Sequence, residues 1–185
     1  KNIHLLRELE GRAVIIAVDT ALRLLLPLGI KPDIVTTIDF NQVNFQKFAN
    51  VPIDPDISLV YHPGGYYESI RAFQGPRFTS SRVPNRIPAW LMQYVEDKGG
   101  LSSGTTVAHM SFFLARYMGC DPIVLMGQDL AFPKNQVHAG DLSLWQIDTS
   151  DMDTVEDIFG EPVGSMTSFK HAIYHFEKAF KETRA

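Results

Sequence analysis

Four short runs of β-branched and aliphatic residues constrain this chain more than any other feature. Residues 12–18 (RAVIIAV), 33–38 (DIVTTI), 57–61 (ISLVY) and 122–126 (PIVLM) are nearly continuous in apolar character, and helix-patterned segments lie between them. A strand with one wet face alternates apolar and polar residues, whereas a strand covered on both faces has no need to. Such runs, spaced by helices, predict an α/β chain: a Rossmann-like, three-layer fold around a mostly parallel sheet. A further strand is expected at residues 78–81. Helices are expected at 19–28, with Asp19 or Thr20 as cap and Gly29 just past the end, at 41–49, and at 103–118. Residues 165–184 place Phe169, Ile173, Phe176 and Phe180 at helical spacing and read as a C-terminal helix docking one apolar face.

Composition narrows the function classes. The 185 residues suit a single domain, 1–185, around one core. Seventeen basic against twenty-one acidic side chains leave a net charge of −4 and no basic run, which argues against gripping nucleic acid through its phosphates. The longest apolar stretches, 13–18 and 24–30, are far shorter than the ~20 residues that cross a bilayer, so no membrane partner is expected. A lone cysteine, Cys120, excludes an internal disulfide framework and a multi-cysteine zinc site, and reads as a small buried hydrophobe. Residues 128–164 are rich in Asp, Gly, Pro and Gln without clean periodicity, and read as an irregular lid or binding loop.

In open parallel sheets, ligands bind beyond the carboxyl ends of the strands. The first run leads into Asp19, the second into Asp39 and Asn41, the third into His62-Pro63-Gly64-Gly65, and the fourth into Gly127-Gln128-Asp129. An aspartate after a strand is commonly the cap of the next helix. Asp19 is read that way. Asp39 is open to both roles. Asp129 is read as functional, because no helix obviously follows it and Gly127 removes bulk beside it.

A second feature is the Gly-Ser-Thr turn that opens the helix at 103–118. Ser103, Gly104, Thr105 and Thr106 offer backbone N–H groups, hydroxyls and a helix dipole to an anion such as a phosphate. The plain alternative is a hydroxyl cap, and no lysine follows to make a Walker loop. Among the histidines, His138 lies in the irregular segment where packing gives no reason for it, and is the candidate general base. His62 is open between touching a ligand and closing its turn. His109, inside the helix, reads as a packing residue rather than a catalyst. His171 and His175 stand four apart, a spacing that suits metal, but without a third ligand nearby they read as surface.

The strings AVDTALRLLLPLGIKPDIVTTID, SSGTTVAHMSFFLARYMGCDPIVLMGQDLAF and VHAGD resemble the bacterial motility accessory factors. Those share a domain family with the archaeal hydroxymethylpterin pyrophosphokinases, the MptE-like family. The resemblance covers about residues 1–141. It implies a Rossmann-like fold related to bacterial sialyltransferases, and a cytoplasmic role in placing nonulosonic sugars on flagellin Ser or Thr. By position it assigns Asp39, Asn41, Ser103, Gly104, Thr105, Thr106, Gly127, Gln128 and Asp129 to a nucleotide pocket, with His138 and Asp129 as the catalytic pair. The family also carries a glycine-rich strand-turn ending in Gly-Pro-Ser-Leu just before the segment matching residues 1–10. It is absent here, so the resemblance implies that the first strand, part of the pocket and flanking domains belong to something longer.

Three functions follow as expectations. The first is a glycosyltransferase that uses a CMP-linked sugar without metal, its positive charge coming from backbone N–H groups and from Arg82, Arg86 and Lys134. The second is a pyrophosphokinase, in which Asp39 and Asp129 hold Mg²⁺ against ATP while a pterin hydroxyl attacks. The third is a non-catalytic scaffold for flagellin glycosylation.

Overall fold

A computed structural model describes residues 2–46, 49–79, 90, 92–94, 99–102, 104–133 and 152–183. The chain forms two compact units, Lys1–Ile123 and Val124–Ala185, where the composition predicts one. In the first unit a 3-10 helix (Ile3–Leu9) precedes β1 (Ile16–Val18), α1 (Leu22–Leu25), β2 (Ile34–Thr37), α2 (Gln42–Gln46), β3 (Ser58–Tyr61), α3 (Tyr67–Arg71), β4 (Arg77–Thr79) and α4 (Val107–Tyr117). The four strands form one sheet in the order β1-β2-β3-β4, and every pairing is parallel. The α/β expectation is met.

The pleat explains why the runs are apolar throughout. Ala17, Val35 and Leu59 sit opposite one another on one face and pack with Leu22, Leu25, Ile57 and Phe73. Their in-between neighbours Ile16, Ile34 and Val60 point to the other face, where Met110 and Leu114 of α4 cover them. Thr36 also faces α4, and its Oγ1 lies 2.7 Å from Ser111 Oγ.

Several boundaries depart from expectation. The helix at 19–28 is a 3-10 turn (Asp19–Ala21), four residues of α1, and a second 3-10 turn (Leu26–Leu28). Pro27 has no N–H to continue the i→i−4 ladder, so the chain tightens there. Gly29 then ends it in the left-handed conformation at φ 69°, with Ile30 N–H donating to Leu25 carbonyl. The helix expected at 103–118 begins only at Val107, with Thr106 as its cap.

The fourth apolar run, 122–126, is not a strand: Val124 is 74% exposed, and Leu125 and Met126 are also exposed. An apolar run takes up strand geometry only where a neighbouring ladder supplies its hydrogen bonds.

In the second unit β5 (Asp153–Glu156) and β6 (Pro162–Ser165) form an antiparallel hairpin followed by α5 (Thr167–Thr183). The reading of 128–164 as irregular is therefore corrected at its C-terminal end. The hairpin signal there is a single apolar cross-strand pair, Val155 opposite Val163, too sparse to register as alternation. Phe132 N–H donates to Gly164 carbonyl (2.8 Å) and Ser165 Oγ to Leu130 carbonyl (2.9 Å), so the GQDLAF segment runs along β6. The Phe132 ring lies 5.3 Å from Phe169 of α5. Ala172, Phe176 and Ala179 form the buried stripe of that helix; of the expected face only Phe176 is fully buried, Phe169 and Ile173 are half-buried and Phe180 is exposed. None of the described helices is long and apolar enough to cross a membrane.

Candidate functional site at the strand ends

Asp19, the acid that follows β1, is 1% exposed. Its Oδ2 accepts from Thr37 Oγ1 at 2.6 Å and its Oδ1 from Thr20 N–H at 2.7 Å. The carboxyl braces the ends of β1 and β2 against each other. It is a structural group, more deeply committed than the helix cap expected from the sequence.

The ends of β2 and β3 meet. His62 N–H donates to Thr37 carbonyl at 3.0 Å, continuing the ladder one residue past the strand. The chain then turns through Pro63 and Gly64, and Gly65 N–H closes back on His62 carbonyl at 2.8 Å. Tyr66 N–H donates to Asp39 carbonyl, also at 2.8 Å, which fastens the turn to the end of β2. Asp39 and His62 are thereby brought to one edge, both half-buried. A Cβ at Gly65 would stand 3.1 Å from His62 carbonyl oxygen and 3.9 Å from that of Asp39, so glycine is what permits this approach.

The His62 ring is held as well. Gly64 N–H donates to its Nδ1 at 3.1 Å, so Nδ1 carries a lone pair and the ring proton sits on Nε2. Partial burial lowers the His62 pKa from its ordinary value near 6.5, favouring the neutral form. Asn41 is exposed, and its Oδ1 accepts from Val43 N–H at 3.1 Å, capping the start of α2.

At the start of α4, Thr106 Oγ1 accepts from His109 N–H (3.4 Å) and lies 2.8 Å from His109 Nδ1. His109 is fully buried, the packing role expected of it. Gly104 has φ 58°, and a Cβ there would stand 2.3 Å from His109 Cβ. That glycine makes room for the histidine. Gly104 and Thr105 are exposed. Leu101 and Ile38 pack on the same small cluster of Val60, Met110 and Leu114, which joins the segment before α4 to the residue that follows β2.

The remaining candidates are not assembled in the same way. Ser103 and His138 lie outside the described residues, as do Arg82, Arg86 and Lys134. Gly127, Gln128 and Asp129 belong to the second unit. Asp129 is exposed, and because 122–126 is no strand, the argument that put it at a strand end does not hold. Gly127 (φ 70°) and Leu130 (φ 49°) both take left-handed backbone around it, uncommon for a leucine. Among the described residues there is no group of three His, Cys, Asp or Glu placed to hold a metal ion. An open groove of ≈ 400 Å³ lies elsewhere, between α2 and α3, lined by Phe45, Val51, Ile53, Glu68 and Arg71. The brace between Asp19 and Thr37 escaped the sequence reading, and its one signal is a hydroxyl residue inside the otherwise apolar DIVTTI run.

Residues 1–135 match the family described as 6-hydroxymethylpterin diphosphokinase MptE-like. The chain belongs to the MptE-like family. The match takes in Asp39, Asn41, residues 103–106 and Gly127-Gln128-Asp129, and ends before His138. The MptE-like fold is also found in the solved structure of the MAf glycosyltransferase from Magnetospirillum magneticum AMB-1, with a TM-score of 0.70 and 22% sequence identity. That alignment covers 91% of this chain and 26% of the other, so the chain spans about a quarter of that protein's length. No curated protein matches the sequence.

Proposed function

We propose that this chain is the nucleotide-binding core of a glycosyltransferase of the motility accessory factor type, taking a nonulosonic sugar from a CMP-linked donor to a flagellin Ser or Thr hydroxyl in the cytoplasm. The observation that carries this reading is the fold likeness to a MAf glycosyltransferase over nearly the whole chain. The acceptor oxygen attacks the anomeric carbon, the bond from that carbon to the phosphate oxygen breaks, and CMP leaves with the electron pair. His138 takes the acceptor's proton. In the first unit, backbone N–H groups at 104–106 bind the leaving phosphate in this proposal and Asp39 and Asn41 orient the nucleotide; for Gln128 and Asp129, in the second unit, the support is the family resemblance.

A second reading is diphosphate transfer from ATP with Mg²⁺ to a hydroxymethylpterin, favoured by the description of the family itself. It needs carboxylates converging on the ion. Asp19 is committed to Thr37, and among the described residues Asp39 is the acid that follows β2 at this edge. In the scaffold reading, the protein recruits flagellin and turns over no nucleotide.

Thermal unfolding with CMP, ATP or GTP, each with and without Mg²⁺, separates the readings. A ligand at 100 times its Kd adds about 2.7 kcal/mol of stability. Stabilisation by CMP without metal is the result expected here. Stabilisation by ATP that strictly requires Mg²⁺ would replace the transferase with the kinase, and indifference to every nucleotide would favour the scaffold.

A further inference from the structure

We infer that His62 is a ligand-binding residue of the strand-end site, donating a hydrogen bond from Nε2–H, as a neutral imidazole, to an acceptor oxygen of the bound nucleotide. The inference rests on the nucleotide reading above and adds to it a residue and a role.

The geometry divides the ring into two ends with different tasks. Nδ1 is occupied by Gly64 N–H at 3.1 Å, which closes the Pro63-Gly64 turn. Closing that turn requires only an acceptor at the Nδ1 position, which the shorter Asn or Asp supplies in many loops. A histidine does this and also carries a second nitrogen outward. Among the described residues nothing accepts from Nε2, and no buried side-chain nitrogen or oxygen lacks a partner. Nε2 is therefore open to solvent, at the carboxyl end of a parallel strand, where ligands of such sheets bind. The Gly64 N–H hydrogen bond holds the Nδ1 edge of the ring toward the turn. The turn is in turn fastened to Asp39 through Tyr66 N–H. A donor whose tautomer is set by the Gly64 hydrogen bond, at the same edge as Asp39, suits the orientation of a ligand.

The same geometry says what His62 does not do. With the proton on Nε2 and Nδ1 engaged by Gly64 N–H, taking a proton from an acceptor hydroxyl would break the hydrogen bond that closes the turn. His62 is thus a neutral donor, and general-base catalysis falls to another residue.

Two substitutions separate the ends of the ring, because an Asn amide reaches the Nδ1 position and a Gln amide reaches the Nε2 position. His62→Asn keeps an acceptor for Gly64 N–H and loses the outward donor; His62→Gln keeps the donor and loses the latch. CMP and Mg²⁺-ATP are titrated against the unaltered protein and both variants, with unfolding curves recorded alongside. His62→Asn is expected to stay as stable as the parent and to bind the nucleotide about five- to tenfold more weakly, the range of one neutral hydrogen bond. His62→Gln is expected to bind within about twofold of the parent and to unfold more easily. Nitrogen-15 spectra of the His62 ring should show the Nε2–H tautomer, and nucleotide should shift the Nε2 resonance. Unchanged affinity in His62→Asn, or an Nδ1–H ring in the spectra, overturns the inference while leaving the nucleotide site standing. Absence of binding of either nucleotide to the unaltered protein removes both.

Discussion

Thr37 Oγ1 donates to Asp19 Oδ2 across 2.6 Å in the interior of the sheet. The last residue of β2 is thus tied to the residue that follows β1. Removing one partner leaves a buried polar group unmatched, which costs about 1–3 kcal/mol. Thr37→Val keeps the volume and deletes the donor, so it should lower the unfolding free energy by that amount in urea titrations. A change below about 0.5 kcal/mol, the level of an ordinary surface substitution, would show the brace to be dispensable.

Gly104→Ala should be destabilising by about 2–4 kcal/mol, from left-handed backbone and overpacking together. The φ of 58° disfavours any Cβ, and this one would press on His109 Cβ at 2.3 Å. Combining it with His109→Gly, which removes the Cβ itself, should relieve the contact but not the backbone term. A double-mutant cycle with no coupling would mean that His109 is not what Gly104 makes room for.

Acid should weaken the fold through His62. Its pKa is lowered in the folded protein by burial, so below about 6.5 the unfolded chain binds a proton that the folded one resists. Stability should decline as the pH falls through that value and level off once the folded ring also protonates, which costs the Gly64 hydrogen bond. Unfolding midpoints between pH 7.5 and 5 should show this slope, and His62→Asn should flatten it.

Asp129→Ala tests the candidate residue of the second unit. The residue is exposed, so its loss should change stability by less than about 0.5 kcal/mol. The CMP response of the unaltered protein should disappear. A full nucleotide response in the variant would remove Asp129 from the site.

How far the sequence could be read depends on where its information lies. Three of the four apolar runs became β1, β2 and β3, because burial on both faces demands apolar residues at every position, as with Val35 and Val60. The same rule failed at residues 122–126, since hydrophobicity marks a segment able to be a strand and not the ladder that would pair with it. Helix boundaries moved where single residues decide hydrogen bonds, at Pro27 and at Thr106. At the site, Asp39 was legible from its place after a strand. The division of labour within the His62 ring was not, because it depends on one backbone N–H from a glycine that any turn would carry.

The strand order β1-β2-β3-β4 is also the order of the chain. Each new strand therefore finds its partner in the one just made, across a single short helix, and the loops to be closed stay small. Such a sheet can lengthen one strand at a time as the polypeptide leaves the ribosome. Among the described elements of this unit, α4, which packs on β1 and β2 from far along the chain, must wait for a distant contact. The second face, and with it the turn of Gly104 to Thr106, is then the last part of this unit to close.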